Sequence, residues 1–260
     1  ITDTSGALVV ATATTDSAAN LAVTFTSGNV TTTAAVAITG GAGNDTLTGA
    51  AAVDTITGGE GADILNGGAG IDSIILTETT AVIDKVYVAT NAGNDTITGF
   101  KVGTGGDIIN LSEALLQIDA AGVATDWINI DLGTSSLANT DSVVVSTITG
   151  ATDAVALTTD TNVLIANLAA NIASASVLET ALELGGSLAL TMNGAIANND
   201  SFLVAYDDGT NSYLAHVESG ATVDDDALAA VGGLTATVIA TLVGVADVTT
   251  LTAANFDIIA

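Results

Sequence analysis

A nine-residue period runs through the chain from Gly40 to Ile75. Cut at that interval, the stretch reads GGAGNDTLT, GAAAVDTIT, GGEGADILN and GGAGIDSII. Three of the four blocks fit G-G-x-G-x-D-x-U-x at every specified position, U being a large aliphatic residue. The second block keeps its leading glycine, Asp54 and Ile56 and loses the other glycines. Self-similarity at a fixed period marks a fold built from one small unit stacked on copies of itself. That leaves a chain few alternatives.

Each block divides into a six-residue turn and a three-residue strand. The glycines let the turn reach positive φ and bring its backbone close to an ion. The strand carries one large aliphatic, so Leu47, Ile56, Leu65 and Ile74 are expected to point inward as a stacked ladder. Two blocks make one coil, and residues eighteen apart then stack: Asp45 over Asp63, and Asp54 over Asp72. Carboxylates stacked at strand spacing repel each other. A hard cation with oxygen ligands removes that repulsion. Ca²⁺ accepts six to eight oxygens in flexible geometry, whereas Mg²⁺ demands stricter geometry and keeps its waters. Turn carbonyls supply the remaining oxygens. Strands this short bury too little to fold alone, so the binding free energy of the ion is expected to be folding free energy. A glycine-rich loop without metal is the competing reading, and an aspartate in register in all four blocks argues against it.

This stretch resembles the RTX repeats of bacterial proteins exported by type I secretion. The resemblance implies a right-handed parallel β-roll with Ca²⁺ held between turns on each face. It also implies ligands from turn carbonyls and repeat aspartates. On this sequence the turns are Gly40, Gly41, Ala42, Gly43, Asn44 and Asp45; Gly58, Gly59, Glu60, Gly61, Ala62 and Asp63; and Gly67, Gly68, Ala69, Gly70 and Asp72. Asp54 comes from the second block, where Ala50 and Ala52 replace glycines and leave the carbonyl ligands of that turn open.

The 260 residues suffice for one or two domains with a sizeable core. Lys and Arg together number 2 against 29 Asp and Glu, for a net charge of −27. Such a chain will not seek nucleic acid or an anionic membrane surface, and it would bind cations. Charged residues are nevertheless only 12% and mean hydropathy is +0.60, which excludes a disordered acidic tail. Cysteine is absent, excluding a disulfide scaffold and a thiolate zinc site. The chain opens at Ile1 with no initiator Met, basic n-region or apolar h-region, and is read as a fragment or a processed product. The uncharged run Ala227–Ala246 is broken by Gly232 and Gly233 and reads as a short helix followed by a buried strand, not as a membrane span.

The fold class expected is all-β: a right-handed parallel β-roll followed by a β-rich C-terminal domain with a few short helices. Residues 1–39 read as an N-terminal β extension or irregular coils of the same roll, with strand runs at Ala7–Ala13, Leu21–Thr26 and Ala34–Thr39. Residues 40–110 form the calcium-binding roll, and 111–260 the C-terminal domain. After Ile75 the period fails. Val82–Ala89 is a strand candidate, and Asn91–Phe100 is a half-kept repeat with Asp95 in the carboxylate position and Ile97 in the aliphatic one. The run NDTITGFKVGTGGDIINLS resembles the segment that closes RTX rolls in secreted metalloproteases and S-layer proteins. It implies that Asp95 and Asp107 serve a terminal Ca²⁺; two turn aspartates without a ligand are the alternative.

Beyond the roll, Leu111–Ile118 reads as a short helix. Strands are expected at Trp127–Leu132, Ser142–Ile148, Ala154–Thr158, Asn162–Ala166, Ser187–Met192 and Thr235–Val243. Ala173–Leu184 has helical spacing, with Val177, Leu178, Ala181 and Leu182 on one face. Ser201–Ser219 reads as a hairpin around an Asp-Gly turn. Asp224–Asp226 reads as a charged start to a helix at Ala227–Val231. The C-terminus, TLVGVADVTTLTAANFDIIA, resembles uncleaved type I secretion signals and the tails of RTX S-layer proteins. The implied signal is Phe256, Asp257, Ile258, Ile259 and Ala260.

Catalytic chemistry finds little support. His216 is the single histidine, so H-E-x-x-H is impossible, and no G-x-S-x-G elbow exists. Aromatic residues are 3%, too few for the platforms of a sugar-binding cleft. The reading is therefore a non-enzymatic, structural, calcium-dependent surface-layer or extracellular assembly protein, located outside the cell at its surface. Its expected partners are copies of itself, the type I secretion machinery and cell-surface polysaccharide. The alternative is a secretion and folding module of a larger type I-secreted enzyme or adhesin.

Overall fold

The computed structural model describes residues 8–9, 22–24, 35–88, 93–112, 144–148, 161–166, 172–182, 201–219 and 233–259. Short strands wind through the first half of the chain: β1 (Leu8–Val9), β2 (Ala22–Thr24), β3 (Val36–Thr39), β4 (Thr46–Thr48), β5 (Thr55–Thr57), β6 (Ile64–Asn66), β7 (Ser73–Ile75), β8 (Lys85–Val88), β9 (Asp95–Thr98) and β10 (Ile108–Ser112). They alternate strictly between two sheets. Odd-numbered strands pair in the order β1-β3-β5-β7-β9 and even-numbered strands in the order β2-β4-β6-β8-β10, every pair parallel. This is a parallel β-roll: each coil contributes one strand to each sheet.

The nonapeptide dictates the packing. In β4, β5, β6 and β7 only the central residue is buried. Leu47, Ile56, Leu65 and Ile74 are each 0% exposed, as the aliphatic ladder required. Register stacks like on like. Ile38, Ile56, Ile74 and Ile97 align in one sheet, and Leu47, Leu65, Val86 and Ile109 in the other. Burying apolar surface at about 25 cal/mol per Å² favours this stack, but each coil contributes only a pair of such side chains.

The C-terminal half adds β11 (Val144–Ile148), β12 (Thr161–Ala166), helix α1 (Ala175–Leu182), β13 (Ser201–Asp207), β14 (Ser212–Ser219), β15 (Leu234–Val243) and β16 (Phe256–Ile259). β13 and β14 form the expected antiparallel hairpin. β15 pairs antiparallel with β14 and parallel with β9, so the odd sheet continues into the C-terminal strands. β16 pairs parallel with β10 and extends the even sheet. The ladders explain this docking: Leu242 falls in register with Ile97, and Phe256 with Ile109. Both C-terminal side chains are buried and continue the two apolar stacks.

Three local expectations are corrected. Leu111 and Ser112 belong to strand β10 rather than to a helix, because Leu111 points inward two residues after Ile109 and pairs with Val88. In α1 the buried face is Leu178, Ala181 and Leu182, spaced i, i+3, i+4, while Val177 is 45% exposed. β15 is buried on one side rather than throughout. Thr235 and Thr237 face out, and an extra residue at Ile239 shifts the alternation opposite Leu214 and Ala215. Expected elements at Trp127–Leu132, Ala154–Thr158, Ser187–Met192 and Asp224–Val231 lie outside the described residues, as does most of Leu111–Ile118.

Candidate metal centre

The repeat aspartates form two files along the edges where turn meets strand. In the even sheet the order is Asp45, Asp63, Asp84, Asp107; in the odd sheet it is Asp54, Asp72, Asp95. Six of these carboxylates accept, through Oδ1, a backbone N–H from one coil earlier. The N–H groups of Asp45, Asp63 and Asp84 donate to Asp63, Asp84 and Asp107 at 2.8, 2.9 and 3.0 Å. Those of Val36, Asp54 and Asp72 donate to Asp54, Asp72 and Asp95 at 2.7, 2.7 and 2.9 Å. All seven aspartates are at most 1% exposed.

The second oxygens of six of them divide into two groups. Asp45, Asp54 and Asp107 receive an N–H from Gly41, Ala50 and Lys101 at 2.6, 2.6 and 2.8 Å. The Oδ2 atoms of Asp63, Asp72 and Asp95 are buried and have no hydrogen-bond partner. Two of these orphans, those of Asp63 and Asp72, lie beside the leading glycines. A Cβ on Gly58 would come within 2.4 Å of Asp63 Oδ2, and one on Gly67 within 2.2 Å of Asp72 Oδ2. The middle glycines bring carbonyls into the same stack. A Cβ on Gly59 (φ +109°) would meet Gly41 O at 2.2 Å, and one on Gly61 would meet Gly43 O at 2.5 Å. The second block keeps its carbonyls in place despite its missing glycines. Ala50 O and Ala52 O face Gly68 and Gly70, and Ala50 O accepts from Ala69 N at 2.9 Å.

Electrostatics follow from burial. The carboxyls of Asp63 and Asp72 are pushed up to about 6, and those of Asp84 and Asp95 to about 7. Desolvation is the main cause. The donated N–H opposes it, and the neighbouring carboxylates add to it. Asp107 is also raised, again chiefly by burial. Such a file is under electrostatic stress as it stands. Its donors are all oxygen, carboxylate and carbonyl, with the orphaned oxygens of Asp63 and Asp72 facing glycines, and this suits a hard cation of the calcium type. Among the described residues no group of three or more His, Cys, Asp or Glu side chains converges on one point. An ion here would draw much of its shell from turn carbonyls.

Of the expected ligands, the structure brings Asp45, Asp63 and Asp107 into one file and Asp54, Asp72 and Asp95 into the other. Glu60 points elsewhere: it is half-buried and caps the next turn, accepting from Thr79 N and Thr79 Oγ1, both at 2.8 Å. Phe256–Ile259 of the expected secretion signal lies in β16. Asp84 escaped the sequence reading. It is separated from Asp63 by 21 residues rather than eighteen, because loop 76–84 is longer than a repeat turn. The signal that identifies it is Asp84-Lys85-Val86-Tyr87, which keeps D-x-U-x without the glycines.

The family model of the RTX calcium-binding nonapeptide repeat matches in 4 copies, over residues 39–74 and 87–101. The roll thus carries RTX calcium-binding repeats. The unmatched interval between the two segments holds Glu78 and Asp84. No curated protein and no solved structure gave a match.

Proposed function

We propose that the chain is the calcium-folded part of a secreted structural protein, assembling with its own copies into a surface layer or related extracellular lattice. The observation that carries the reading is the pair of aspartate files, whose buried orphan oxygens at Asp63, Asp72 and Asp95 are costly as bare carboxylates and suit a cation. When bound, calcium supplies positive charge and a flexible oxygen shell. The aspartates and turn carbonyls of adjacent coils would hold it, Asp45 with Asp63 on one edge and Asp54 with Asp72 on the other. Where calcium is scarce, these carboxylates repel and weaken the closing of the glycine-turn coils, which favours export by a type I route. At extracellular levels the coils close, since even weak extracellular sites of 10⁻⁴–10⁻³ M fill there.

Three features support assembly rather than catalysis. The chain has a single histidine and few aromatic residues. Its net charge of −27 keeps copies apart unless cations screen or bridge them. RTX repeats are typical of secreted proteins, and among the described residues no helix is long and apolar enough to cross a membrane. A second reading, a folding module of a larger secreted enzyme or adhesin, is favoured by the way β15 and β16 close both sheets of the roll from within the chain.

Electron microscopy of the purified protein in calcium and then in chelator separates the two. Sheets or filaments that dissolve on chelation support the assembly. Monodisperse particles in both conditions sink it and leave the folding module.

A further inference from the structure

The chain contains only two basic residues, and both stand in the coil where the glycine turns give out. Lys85, in β8, pairs with Asp257 of β16 at 3.6 Å, with both side chains substantially exposed. Lys101, in the turn before β10, is placed differently. Its Nζ lies 2.5 Å from Oε1 of Glu78, whose side chain is 0% exposed. Its backbone N–H donates to Asp107 Oδ2.

Glu78 sits in the loop that replaces a repeat turn, where no glycine is present between Leu76 and Asp84. Its Oε1 also accepts the N–H of Val82 at 2.7 Å, and its Oε2 is buried without a partner. The surrounding charges are all negative. Burial works against the ammonium's charge, but the hydrogen bond and charge of Glu78, followed by the charges of Asp107 and Asp84, raise it; Glu60 is lowered chiefly by its hydrogen bonds from Thr79, Lys101 contributing least. Lys101 thus joins the turn that presents Asp107 to the loop that presents Asp84, through its backbone N–H on one and its ammonium on Glu78 of the other.

We propose that Lys101 is a resident cation, its ammonium occupying on Glu78 the place that a calcium ion takes between the earlier turns of the same edge. The assignment rests on the calcium reading of the repeats above. It means that the closing turn at residues 99–107 folds without calcium, while the glycine turns at 40–45 and 58–63 require it. Geometry favours a lysine here. Loop 76–84 has no glycine, and the buried carboxylate of Glu78 fills its interior and meets the ammonium directly.

The test is hydrogen exchange read by mass spectrometry, in EGTA and in millimolar calcium chloride, on the full chain and three variants. In EGTA the wild-type turn at 99–107 should exchange roughly tenfold more slowly than the turn at 58–63. Lys101→Met should lose that protection in EGTA and regain it in calcium, as an ion takes the vacated place. Lys101→Arg should behave as wild type. Lys101→Met combined with Glu78→Gln removes charge and countercharge together, and calcium should no longer slow its exchange at 99–107. Equal exchange of the two turns in wild-type EGTA samples overturns the assignment. So does a Lys101→Met protein that is unchanged, or that calcium cannot restore. A wild-type turn at 58–63 indifferent to calcium would instead overturn the reading beneath, and restoration of Lys101→Met by calcium would still support the lysine.

Discussion

The backbone N–H of Asp45 donates to Oδ1 of Asp63, eighteen residues later, at 2.8 Å. The bond does two things at once. It fixes the register of consecutive coils, and it turns the other carboxylate oxygen, Oδ2, toward Gly58, where it is buried and unpaired. The repeat aspartate is thus both a backbone acceptor within the protein and an anion offered to something else. The two roles separate experimentally, because asparagine keeps the acceptor and loses the charge.

Asp84→Asn should accordingly change sign with calcium. Without calcium the substitution removes a buried carboxylate that burial and its neighbours hold at about 7. The acceptor for the Asp63 N–H, now at 2.9 Å, remains. Urea unfolding in chelator near pH 7.5 should show a gain on the order of 1–2 kcal/mol. With saturating calcium the variant should be less stable than wild type. Destabilisation of similar size in both conditions would mean that Asp84 is only a hydrogen-bond acceptor.

Acid should stabilise the calcium-free roll. Asp63 and Asp72 are raised to about 6, Asp84 and Asp95 to about 7, against an unfolded value near 4. The folded chain therefore holds protons that the unfolded chain releases. Their stabilisation is present in full below about 4 and is lost as pH rises through about 7. In chelator the melting temperature should fall between pH 4.5 and 7.5. Calcium affinity should run the other way, weakening on acidification over the same window, because binding displaces those protons. A chelator melting temperature that climbs with pH would refute the electrostatic account.

The roll was legible because its information is periodic. Leu47, Ile56, Leu65 and Ile74 fall on one interval, and parallel register at one coil per eighteen residues follows without reference to the rest of the chain. Asp84 was hidden because loop 76–84 breaks the interval and carries no glycine, leaving only the Asp-x-Val fragment. The docking of Leu242 on Ile97 and of Phe256 on Ile109 was not readable either. Those partners are far apart in sequence, and nothing local distinguishes a strand that ends a roll from one that ends a separate sheet. The first two residues of the helix expected at Leu111–Ile118 are strand for a related reason. Leu111 and Leu115 have helical spacing, but Ile109 and Leu111 also have strand spacing, and pairing with β8 decides between them.

Two glycines separate backbone conformation from crowding. Gly59 has φ +109°, and a Cβ there would lie 2.2 Å from Gly41 O. Gly103 has φ +84°, and a Cβ there would meet nothing within 4 Å. Gly103→Ala should cost only the left-handed backbone penalty, about 1–2 kcal/mol. Gly59→Ala adds the displacement of a stacked carbonyl and should cost clearly more in calcium, with a lower calcium affinity as well. Denaturant unfolding with calcium titration checks both. Equal costs, with calcium affinity unchanged, would mean that the carbonyl of Gly41 has no part in the centre.

Asn255 should prove to be the joint between the C-terminal strand and the roll. It is 0% exposed. Its Oδ1 accepts from Gly103 N at 2.8 Å and Thr252 N at 3.1 Å, and its Nδ2 donates to Asp107 O at 2.9 Å. One amide thereby ties the turn that presents Asp107 to the segment that leads into β16. Alanine in its place leaves the Gly103 N–H and the Asp107 carbonyl without partners, and each unmet buried group costs about 1–3 kcal/mol. The expected result for Asn255→Ala is a loss on the order of 2–4 kcal/mol in urea unfolding. Faster hydrogen exchange should appear in β16 and β10 together, because undocking Phe256 uncovers Ile109. Faster exchange in β16 alone would show that the final strand rests on the roll without bracing it.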